Sequence, residues 1–262
     1  MGGGLGDAFV GGVGMGRGFG HQGPFAGALG CTGTFADGRV TCALVTSNGL
    51  TIARSAAYAD ASGKVQQAFD SVTTNTANIR TEVSGTLAFT GDSSDCGFGF
   101  GPRGGRGGHG GRGDRHGGRG GLLLGDTATV TSATTTVSNR GDRTVTGLAQ
   151  GSTQRTVNGV SASQESTTGT SSRGSFTSVR IAGDTTQGLV VPVQASGSYP
   201  TAGTVIRSMK VTVTYAGEAA VSQSRREVVT YDGSSTAKVA ITTDGTTKSC
   251  TRPLPRGPLT CE

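Results

Sequence analysis

The chain has 262 residues with a formal net charge of +6, 48 Gly, 39 Thr and no Trp. No apolar run is long enough to span a bilayer as a helix, and strong helix formers are few beside Thr and Val, which excludes a helical membrane protein and a helical bundle. Arg103, Arg106, Arg112, Arg115 and Arg119 against Asp114 place +4 of the +6 in one stretch, so a basic field over the whole surface is excluded as well.

Residues 1–30 are glycine-rich and expected to be disordered. They show neither the positive n-region nor the uninterrupted apolar stretch of a secretory signal. All three histidines, His21, His109 and His116, lie in this segment or in a second glycine-rich one. The remaining sequence therefore lacks the usual general base and the imidazole ligand of most zinc sites.

From residue 31 the chain reads as a single β domain, 31–262, interrupted at 96–125. Turn signals recur at Asp37-Gly38, Asn48-Gly49, Asp60 to Gly63, Gly141-Asp142, Asp232-Gly233 and Asp244-Gly245. Between them, alternation predicts strands near 39–47, 50–58, 64–69, 78–90, 127–138, 143–149, 153–167, 175–182, 187–193, 204–215, 219–231, 235–243 and 246–251. Ile79, Val83, Leu87 and Phe89 form one apolar stripe; Val205, Met209, Val211, Val213 and Tyr215 form another. Phe69 to Ala77 is weakly patterned and has room for a short helix. In 127–170 the stripe is mostly Thr and Ser, which suggests an exposed edge or a two-sided polar sheet of loose register. Short local connections predict an all-β fold, an antiparallel up-and-down meander forming a barrel or a sandwich.

The interruption contains PRGGRGGHGGRGDRHGGRGG and is expected to be a disordered loop. Its five arginines are the candidate contact for an anionic polysaccharide or other polyanion. The alternative is an RGG-type nucleic-acid binder, in which guanidinium groups contact phosphate and stack on bases.

No nucleophile elbow, HExxH or phosphate loop is present, and Asp37, Asp60, Asp232 and Asp244 occupy turn positions; neither an enzyme, a metal site nor a cofactor is expected. One polar group breaks the pattern. Arg207, Gln223, Arg225 and Glu227 fall in the apolar register of their strands, and a three-residue connection at 216–218 would set Arg207 opposite Glu227. The preferred reading is that long strands outrun the core and face water on both sides. The other is an internal cluster lining a cavity for a small polar ligand.

Cys31 and Cys42 are separated by ten residues, as are Cys250 and Cys261, and CTGTFADGRVTC aligns on CTRPLPRGPLTC without a gap. A turn midway brings each pair to cross-strand positions within disulfide reach, leaving Cys96 free. Disulfides imply an oxidising compartment: periplasm, outer membrane or cell exterior.

Together with SNGLTIARS and TVTGLAQGSTQRTVNG, the first cysteine segment resembles exported, lipoprotein-like β-rich proteins of environmental Gram-negative bacteria, over roughly 31–95 and 127–262. The resemblance implies an envelope or extracellular location and no known chemistry. The expected function is that of a non-enzymatic structural or binding protein.

Overall fold

The computed structural model describes residues 31, 33–90, 128–193, 199–254 and 257–262. All secondary structure among them is β. The strands are β1 (Gly33–Ala36), β2 (Arg39–Cys42), β3 (Val45–Ser47), β4 (Leu50–Ala59), β5 (Val65–Gln66), β6 (Thr76–Thr90), β7 (Val130–Thr146), β8 (Gln154–Ser171), β9 (Gly174–Pro192), β10 (Ala202–Tyr215), β11 (Val221–Tyr231), β12 (Thr236–Thr243), β13 (Thr246–Pro253) and β14 (Thr260–Cys261). They form one antiparallel sheet in the order β1-β2-β4-β6-β7-β8-β9-β10-β11-β12-β13-β14, with β3 and β5 also paired to β4. The up-and-down meander is thus observed as a single open sheet, not closed into a barrel.

Turn chemistry sets the hairpins. Asp37, Asn48 and Asp244 take φ of 52°, 52° and 48°, each followed by a glycine at positive φ. Two successive positive φ values match the right-handed strand twist, which is why Asp-Gly and Asn-Gly stand there. Gly141-Asp142 does not turn: both residues lie inside β7, and the two strands expected around it are one. Likewise 175–182 and 187–193 are joined in the 19-residue β9. The residues from Phe69 to Ala77 form turns and the start of β6, with no helix; Asp70 closes them by accepting from the Val72 N–H and the Thr73 hydroxyl.

The Thr-rich stretch is not an edge. β7 and β8 lie mid-sheet in a register from Val130↔Ser171 to Thr146↔Thr156. Inward Thr135 and Thr167 are both buried and hydrogen-bond to each other at 2.9 Å, so hydroxyls occupy core positions by satisfying one another.

One face of the sheet is buried. Its main cluster runs from Val40 on β2 through Ala56, Tyr58, Ala77, Val145, Val157, Leu189, Val205 and Val229 to Val239 and Cys250. All of them come from strands of the one sheet, and no helix or second sheet among the described residues covers these side chains. Each such Val or Leu contributes roughly 1.5–3 kcal/mol by leaving water. A second cluster, Val130, Ala133, Phe176, Val211, Val213 and Tyr215, lies toward the opposite strand ends.

Candidate functional site

Between the two apolar clusters the inner face is polar. Directly paired residues make one row across nine strands: Arg54, Thr81, Gly141, Ser161, Asp184, Arg207, Glu227, Ile241 and Lys248. The register places Arg207 opposite both Glu227 and Asp184. Arg207 Nη1 lies 3.2 Å from Glu227 Oε1, and Arg207 Nε lies 3.5 Å from Asp184 Oδ2. Arg225 Nη2 reaches the second Glu227 oxygen at 3.5 Å. The Asp184 and Glu227 side chains are only 6% and 12% exposed. The reading in which these strands outrun the core therefore fails for Arg207 and Glu227. They sit midway along the buried face because the sheet continues with apolar residues on either side. Arg225 is more exposed, and Gln223 is half-buried beyond it.

Two members of this group escaped the sequence pattern. Asp184 falls in the supposed gap between two strands, and Arg143 in a supposed strand start. In the fold, Arg143 projects inward from β7 opposite Gly159 of β8. A Cβ at Gly159 would come within 2.9 Å of the Asp142 carbonyl oxygen and 3.2 Å of the Arg143 Cα, so glycine lets the β7 backbone approach closely there. Burial raises the Asp184 carboxyl pKa, against the downward pull of Arg207 and Arg143. Burial likewise lowers that of the Arg143 guanidinium, which Asp184 partly offsets. Glu165 and Arg180 form a further inward ion pair two levels higher.

The outer face carries a separate polar group. Asn78 donates to Asp142 Oδ1 at 2.6 Å, Arg80 pairs with Asp142 Oδ2 at 3.3 Å, and Arg39 donates to Asn78 Oδ1 at 2.7 Å. These contacts stitch β2, β6 and β7. Asp142 is thus a cross-strand partner and not a turn former. A groove of about 340 Å³ between β11 and β14 is lined by Val228, Lys238, Ala240, Ser249, Thr260 and Glu262, and shares no residue with the inner charged row.

The cysteines pair as the spacing predicts, Cys31 with Cys42 and Cys250 with Cys261, with Cα separations of 5.3 and 4.0 Å. One clips the hairpin at the first edge of the sheet and the other the hairpin at the last. Arg103, Arg106, Arg112, Arg115, Arg119 and Cys96 lie outside the described residues. Thr90 and Ala128, which flank that segment, are at the strand ends near the second apolar cluster. No helix among the described residues is long and apolar enough to cross a membrane.

Compared with known proteins, the chain matches no family model, no curated protein and no solved structure.

Proposed function

We propose that the chain is an exported, non-enzymatic β-sheet protein of the cell envelope or exterior, a structural or binding scaffold whose Arg/Gly-rich segment contacts anionic polymers. The observation that carries this reading is the pair of disulfides at the two edges of one sheet. Cystines persist where the surroundings are oxidising and are rare in a reducing cytosol. Here they staple the places where an open sheet is weakest, its short outer strands of two and four residues. The five clustered arginines supply the charge for polyanions, with an affinity that falls steeply with salt.

Deleting residues 102–121 tests the binding part. The β sheet is expected to fold as before, and salt-sensitive binding to RNA and to acidic polysaccharide is expected to disappear together. Affinity retained after the deletion, or a strong preference of the intact chain for one RNA sequence, would contradict it.

A further inference from the structure

The chain contains two Asn-Gly pairs, Asn48-Gly49 and Asn158-Gly159. In this dipeptide the glycine nitrogen is a nucleophile within reach of the asparagine side-chain carbonyl carbon, because glycine puts no Cβ in the way. The fold treats the two pairs differently. Asn158 lies inside β8 opposite Thr144 of β7, and its Oδ1 accepts the Gly188 N–H at 2.7 Å. Gly159 is paired on both sides, with Arg143 and with Thr186. Asn48 and Gly49 instead form the exposed tip of the β3–β4 hairpin, at φ of 52° and 79°. In a two-residue turn the closing bond joins the flanking residues, here Ser47 and Leu50, and leaves the central amides out. Neither the Asn48 side chain nor the Gly49 N–H has a hydrogen-bond partner among the described residues.

The tip is also docked. The Gly49 carbonyl accepts the Thr86 N–H of β6 at 3.1 Å, and a Cβ on Gly85 would lie 2.1 Å from that same oxygen. Nothing there can absorb a longer backbone. Two other hairpin tips, Asp37-Gly38 and Asp244-Gly245, carry aspartate where this one carries Asn48. An ordinary aspartate therefore suits the turn, whereas an inserted methylene does not.

We infer that Asn48 is a self-modifying site. The Gly49 nitrogen gives up its proton to solvent and bonds to Asn48 Cγ; the Cγ–Nδ2 bond breaks, ammonia leaves and a succinimide ring closes. Water then opens the ring. Opening at the side-chain carbonyl gives aspartate, and opening at the backbone carbonyl gives isoaspartate, whose main chain runs through Cγ and is one methylene longer. Water is the one reactant consumed, and each product carries a new carboxylate. The isoaspartate form displaces the Gly49 carbonyl from Thr86 and loosens the hairpin tip, in the part of the sheet that ends at the Cys31–Cys42 clip. The site depends neither on where the protein resides nor on the Arg/Gly-rich segment.

Peptide mapping of the full chain over a time course in mildly alkaline buffer tests the inference, with digestion at acid pH to prevent further ring closure. Conversion is read as the mass gained when NH2 is replaced by OH. In the folded chain Asn48 is expected to convert roughly tenfold or more faster than Asn158, because a mid-sheet strand must open before its backbone can bend. In the reduced, denatured chain the two sites are expected to convert at similar rates, since the dipeptide is the same. The isoaspartate form, separated by chromatography, is expected to exchange the Thr86 amide hydrogen roughly tenfold or more faster than the unmodified chain, whereas Asn48→Asp keeps it protected. Equal rates at the two sites in the folded chain overturn the inference. So does an Asn48 that stays intact over the time in which the denatured chain converts, or a Thr86 amide as protected in the isoaspartate form as in the unmodified chain.

Discussion

Single residues decide where this chain turns and where it stays extended. Asp-Gly at 37–38 and 244–245 turns, whereas Gly-Asp at 141–142 and 183–184 lies inside long strands. The order of the two residues carries that information, and a reading that treats both as turn signals misplaces Asp142 and Asp184. The acids titrate accordingly. Asp232 is held down to about 2 by the Ser234 hydroxyl, with Lys238 and the Ser234 N–H adding to it. The native state thus binds its proton less tightly than the unfolded chain, and the stability it contributes above the usual value of 3.8 is lost as pH falls toward about 2. Asp184 behaves oppositely. Burial raises its pKa, so its contribution is complete in acid and is lost as pH rises through the native value. Carboxyl carbon shifts in an NMR titration are expected to place Asp184 above, and Asp232 below, an ordinary aspartate; equal midpoints would refute the burial of Asp184.

At the scale of elements, β7 and β8 show how a sheet is held with Thr where Val is usual. The Thr135–Thr167 hydroxyl pair is buried, so Thr135→Val alone strands a hydroxyl and is expected to cost about 1–3 kcal/mol, as is Thr167→Val. The double Val variant removes both polar groups and is expected to recover most of that loss in denaturant unfolding. Additive losses would show that the pair is not coupled. The strand pattern was legible where apolar residues alternate, as in Val205 to Tyr215. It was illegible in β7 to β9 because hydroxyls and ion pairs replace the apolar stripe, and their complementarity becomes visible only when the strands are set side by side. For the same reason Arg207 and Glu227 could be paired from the sequence, since one short connection relates them. Arg54, Arg143 and Asp184 could not, because they meet the row through three further strands. The disulfide hairpins were legible because each is local. Replacing Cys250 and Cys261 together by Ser is expected to cost roughly 3 kcal/mol, on the chain-entropy scale for a loop of this size, and to release β14 first. Hydrogen exchange that leaves β13 as protected as before would contradict that order.

The described residues form one open sheet whose inner face is apolar toward both strand ends and charged between them, with a covalent clip at each edge. An open sheet of this size has two edges to protect, and short outer strands fixed by disulfides do so only where cystine survives. Location, edge protection and stability therefore rest on the same two bonds. The most direct test is non-reducing peptide mapping by mass spectrometry on protein alkylated at once on release from its native host. The account predicts Cys31 linked to Cys42 and Cys250 linked to Cys261. Alkylation of all five cysteines without reductant, or Cys31 joined to any other partner, would contradict it.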